Sequence, residues 1–110
     1  MTKIKIQPGG CGMQVTVEVQ KKDKKTFAVV ITSECEMVGK LAKEITELTL
    51  IDAYKGLLNN PVYTKGAACL KHVSCPVPCS ILKALEVEAG LNVPKDCVMH
   101  FIKEEEEKLS

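Results

Sequence analysis

The sequence predicts a single α+β domain. An antiparallel hairpin heads a three- to four-stranded sheet, about four helices follow on one face, and a last short strand lies near the C-terminus. Three observations carry that prediction. Along Met13–Gln20 apolar and polar residues alternate, with Val15, Val17 and Val19 on one side and Gln14, Thr16 and Glu18 on the other, the period of a half-buried strand. After Cys35 the period lengthens, and Val38, Leu41, Ile45 and Leu48 fall on one helix face. The chain has 110 residues, about the length of one domain, which divides into a domain over 1–103 and an acidic tail over 104–110.

Taken in order, Ile4 and Ile6 alternate with lysine and form a short first strand closed by Pro8-Gly9-Gly10. The Met13–Gln20 strand runs into a charged turn, Lys21–Lys25, and a β-branched strand follows over Thr26–Thr32. A hairpin centred on Asp23 sets Val19 against Phe27, Val17 against Val29 and Val15 against Ile31, so each core-side residue meets an apolar partner. Continued outward, that register opposes Met13 to Ser33 and Cys11 to Cys35, about 4.5–5.5 Å apart at Cα. Helices are then expected over Glu36–Leu48, Asp52–Leu58 and Val62–His72, the last with Pro61 in its first turn. Ser74 caps a fourth helix that buries Ile81, Leu82, Leu85 and Ala89 and ends at Gly90. Cys97–Ile102 reads as the last strand, with Cys97 in the core.

Composition narrows the function. A net charge of +1 supplies no field to draw in nucleic acid or an anionic membrane, so neither is expected as a partner. No stretch approaches the roughly 18 apolar residues of a bilayer span. The first residues lack the apolar region of a signal peptide, so a cytoplasmic location is expected. In that compartment the six cysteines are reduced or metal-bound in preference to a disulfide framework.

Thiolates are preferred ligands for zinc, copper(I) and iron–sulfur clusters, which need three or four of them. Cys11 stands in the run Gly9-Gly10-Cys11-Gly12, where glycines allow close backbone approach. Cys35 and Cys75 each begin a helix, and helix N-termini favour negative charge, which makes a thiolate there a better ligand. His72, just before Cys75, and Cys79, one helical turn after it, are candidates for a fourth ligand. Cys69 reads as a small core residue of a helix. No paired carboxylates suited to acid–base catalysis and no phosphate loop are evident, so no enzymatic activity is expected.

A Cys-Gly opening a hairpin, a cysteine closing it at a helix start, and a third cysteine at a later helix start together resemble the IscU/NifU-type iron–sulfur cluster scaffold proteins. The matching positions are Cys11-Gly12, Cys35 and Cys75, with His72 near the family's histidine, and the likeness spans about residues 9–90. The resemblance implies that these three cysteines hold a nascent cluster, with a cysteine desulfurase and a cluster acceptor protein as partners. The chain departs from that family at Met13, where the scaffold has aspartate, and at Glu34 and Glu36, where it has glycines. It also lacks the Leu-Pro-Pro chaperone motif. The sequence is similar, too, to small uncharacterised proteins of anaerobes and archaea.

The leading expectation is therefore a thiolate-site protein that takes an iron–sulfur cluster or zinc at Cys11, Cys35 and Cys75. Two alternatives stand beside it. One is a thiol-redox protein cycling Cys11 and Cys35, whose opposed strand positions suit a disulfide. The other is an interaction or small-molecule-binding domain with all its cysteines in the core.

Overall fold

A computed structural model describes residues 1–104. Its strands are β1 (Thr2–Ile6), β2 (Val15–Lys21), β3 (Thr26–Ser33) and β4 (Glu47–Thr49). Its α-helices, among the described residues, are α1 (Glu36–Glu44), α2 (Pro61–Cys69) and α3 (Val77–Glu88). The sheet is antiparallel throughout, in the order β1-β2-β3-β4. The α+β class therefore holds.

Alternation on the strands decides which face is buried. Val15, Val17 and Val19 are at most 1% exposed, and Phe27, Val29 and Ile31 of β3 join them on the same side. Each such side chain contributes roughly 1.5–3 kcal/mol on burial, so six together fix the inward face more firmly than any turn can. The helices supply the other half of the core through Val38, Leu41, Val62, Ile81, Ala84 and Leu85. Helix α3 crosses β1 and β2, α1 packs on β3, and α2 packs against both α1 and α3. At Gly66 a Cβ would stand 3.3 Å from Cγ of Pro78, so the missing side chain is what lets α2 approach the start of α3.

The β2–β3 register differs from the expected one by two residues. Val15 faces Ser33, Val17 faces Ile31, Val19 faces Val29 and Lys21 faces Phe27. The turn explains the offset. Asp23 Oδ1 accepts the backbone N–H groups of Lys25 and Thr26 at 2.9 and 3.0 Å, and the N–H groups of Lys22 and Asp23 both point to the Thr26 carbonyl. The loop is thus centred beyond Asp23. Phe27 finds its apolar cross-strand neighbour in Leu48 of β4 instead of in Val19. An even offset preserves the inward face, so the core was unaffected.

Three expected elements are corrected. The helix expected over Glu36–Leu48 stops at Glu44, and Leu48 is buried from β4. β-branched Ile45, Thr46 and Thr49 favour extended backbone, and the open edge of β3 supplies a ladder for them. Asp52–Leu58 is not a helix but part of two short 3-10 turns, Leu50–Ala53 and Leu57–Asn59. They are tied together by buried Asn60, which donates to the carbonyls of Asp52 and Lys55 and caps α2 by accepting from the Val62 N–H.

No strand forms at Cys97–Ile102, where Val98, Met99 and Phe101 are 80%, 82% and 97% exposed. An alternating pattern needs a ladder partner, and among the described residues the chain leaves α3 through Gly90 (φ +78°) without rejoining the sheet. Cys97 is therefore exposed, not core. Beyond Glu104, the acidic tail expected over 104–110 lies outside the described residues. Among the described residues no helix is long and apolar enough to cross a membrane.

Candidate functional site

Cys11 lies in the loop between β1 and β2, not on a strand. The Gly12 N–H donates to the Gly9 carbonyl at 3.0 Å and closes a turn around it, with Gly9 and Gly12 at φ +97° and +68°. Those angles favour glycine, which is why the cysteine is flanked as it is.

Cys35 is the N-cap of α1, with φ −70° and ψ 122° and no side-chain cap. The Ser33 hydroxyl donates to the Gln14 carbonyl at 2.9 Å and accepts the Cys35 N–H at 3.1 Å. One hydroxyl thus ties the Cys11 loop to the start of α1. The first-turn N–H groups of α1 have no intrahelical partner, an arrangement that favours negative charge at that end of the helix.

Cys75 closes a turn in which its N–H donates to the His72 carbonyl at 3.2 Å. The helix expected to reach His72 ends at Cys69, because Leu70 turns extended (φ −99°, ψ 131°). Ser74 does not cap α3; Pro76 holds that position and its carbonyl accepts the N–H and the hydroxyl of Ser80. Cys75 therefore sits just ahead of α3, on the segment that connects it to α2.

These three segments surround one cavity of about 470 Å³. Cys11, Cys35, Cys75 and His72 all line it, over an apolar floor of Val15, Val38, Leu70 and Val77. Cys35 and Cys75 are partly buried against the core, while Cys11 is exposed at the rim. Among the described residues no aspartate or glutamate lines the cavity. Among the described residues no three His, Cys, Asp or Glu side chains stand close enough to hold a metal ion together. The donors share the cavity lining without gathering into one ligand group, and each thiol can turn on a single torsion, χ1.

The strand pairing expected to bring Cys11 opposite Cys35 is not formed, since the ladder ends at Val15 and Ser33. The two cysteines share the cavity through the loop and the helix cap instead. Cys79 lies elsewhere, in a second depression with Tyr63 and Leu82, and its thiol donates to the Pro76 carbonyl at 3.4 Å. Partial burial, and secondarily the nearby Cys79 charge, push the Tyr63 hydroxyl above its ordinary pKa. Cys69 packs on the core from the end of α2. All six cysteines are free thiols. Two further sulfur-bearing residues that line the cavity had no part in the expected ligand set, Met13 and Met37.

Residues 2–101 match the model of DUF6951, a family of unknown function. The chain belongs to this family. All the residues that line the cavity fall inside the DUF6951 match, as does the exposed segment as far as Phe101. Comparisons with curated proteins and with solved structures give no match.

Proposed function

We propose that this DUF6951 protein is a small thiolate-site protein that binds a metal ion or an iron–sulfur cluster at Cys11, Cys35 and Cys75, with His72 as a further donor. One observation carries the reading: three thiols and an imidazole from three separate segments line the same cavity, with no carboxylate among its described lining residues. Soft sulfur and imidazole donors select zinc, copper(I) and iron–sulfur clusters over hard cations. The position of Cys35 at a helix N-terminus sets it beside backbone N–H groups that can donate to a bound anionic cluster. With His72 as an exchangeable fourth donor, the three cysteines leave a coordination position that can open, which suits a scaffold-like protein that hands its cargo on better than a closed structural site. Such a role implies a sulfur donor such as a cysteine desulfurase and a cluster acceptor protein.

Loading would draw the thiols inward by χ1 rotation, with the Cys11 loop and the His72–Cys75 turn as the yielding parts. The test is anaerobic reconstitution with iron and sulfide, and separately with zinc, of the wild type and a Cys11→Ser/Cys35→Ser/Cys75→Ser variant. The proposal expects binding by the wild type and its loss in the variant. Equal binding by both, or none by either, contradicts it.

A further inference from the structure

Every internal methionine of this chain stands two residues after a cysteine: Cys11-Gly12-Met13, Cys35-Glu36-Met37 and Cys97-Val98-Met99. The first two of these pairs line the same cavity, one from the β1–β2 loop and the other from the first turn of α1. Met37 is half-buried and Met13 is 42% exposed, so neither is consumed by the core and both residues line the cavity. With Cys75 and His72, six sulfur and imidazole donors line one space, with no carboxylate among its described lining residues.

Thioether sulfur discriminates among the metals that thiolates accept. Zinc and iron–sulfur clusters take thiolate and imidazole, whereas a neutral thioether is a useful ligand chiefly for a soft monovalent cation. A packing role accounts less well for two methionines placed at one spacing from two cysteines. Leucine would fill the same volume with stiffer side chains, and Met13 is too exposed to fill a core gap.

We infer that the cavity is a copper(I) site in which a thioether of Met13 or Met37 completes the coordination begun by the Cys11, Cys35 and Cys75 thiolates. The inference rests on the thiolate-site reading above and names the cargo within it. The apolar floor of Val15, Val38, Leu70 and Val77 keeps water from one side of the cation, which protects the monovalent state from oxidation. The third pair, Cys97 and Met99 with His100 beside it, is carried on the exposed C-terminal segment outside the cavity.

The test is anaerobic competition for copper(I) against a chromophoric copper(I) chelator, with zinc binding measured in parallel. Wild type is compared with Met13→Leu/Met37→Leu, which keeps side-chain volume and removes sulfur, and with Cys97→Ser/Met99→Leu. The expected result is a loss of copper(I) affinity of about tenfold or more in the first variant. Its zinc affinity stays unchanged, as does the copper(I) affinity of the second variant. Circular dichroism establishes that both variants are folded. Unchanged copper(I) affinity in Met13→Leu/Met37→Leu, with zinc still bound, overturns the copper assignment and leaves the thiolate site standing. Loss of copper(I) through Cys97→Ser/Met99→Leu alone overturns its placement in the cavity. No copper(I) binding by the wild type overturns the copper assignment, and failure of iron–sulfide reconstitution as well overturns the thiolate site.

Discussion

The carboxylate of Glu88, in the last turn of α3, holds together two strands and the chain terminus. Its Oε1 accepts the Thr2 hydroxyl at 2.8 Å and lies 3.5 Å from the Met1 ammonium, while Oε2 accepts the Lys21 N–H at 2.9 Å. Partial burial pushes this carboxyl up, but the Lys21, Thr2 and Met1 contacts together outweigh it and hold its pKa below the ordinary glutamate value. A native pKa below the unfolded one stabilises the fold above the unfolded value. That contribution is complete above about pH 4.3 and is lost as pH falls through the lower native pKa. Glu88→Gln should therefore cost about 1–2 kcal/mol at pH 7. Thermal melts at pH 7 and pH 3 should show a smaller pH difference for the variant than for wild type, and an unchanged difference would contradict this account.

None of these Glu88 contacts could be seen in the sequence, because they join residues at opposite ends of the chain. By contrast, Gly9 and Gly12 announce a turn around Cys11 on their own, since a left-handed backbone is a local property. Met13 and Met37 fell between these cases. Their spacing from Cys11 and Cys35 was readable, but only the shared cavity gives that spacing a meaning.

Among the elements, β2 and β3 were legible as strands because alternation is a property of each strand alone. Their register was not, because it depends on how Asp23 closes the turn and on the neighbour that β4 offers Phe27. The spacing of Val38, Leu41, Ile45 and Leu48 fits one helix, yet Leu48 reaches the core by a different route. Helical period and burial agree there without a common cause. Cross-strand nuclear Overhauser contacts test the register directly. The structure expects contacts of Val17 with Ile31 and of Val19 with Val29, whereas contacts of Val17 with Val29 would restore the register centred on Asp23.

For the molecule as a whole, the cavity is a product of topology. The β1–β2 loop, the start of α1 and the link between α2 and α3 come to one end of the sheet because α1 packs on β3 and α3 on β1 and β2. The sequence indicated which cysteines sit at loops and helix starts; whether Cys75 joins the other two depends on how α3 crosses the sheet, which no local pattern encodes. Cys79, four residues on, faces a different depression. That division makes the most direct measurement a panel of single variants. Native mass spectrometry of the anaerobically metal-loaded protein should show one loaded species for the wild type, Cys79→Ser and Cys97→Ser. Loading should be sharply reduced in each of Cys11→Ser, Cys35→Ser and Cys75→Ser. Full loading in any one of those three, or its loss in Cys79→Ser, would contradict a site built from the cavity's three thiols.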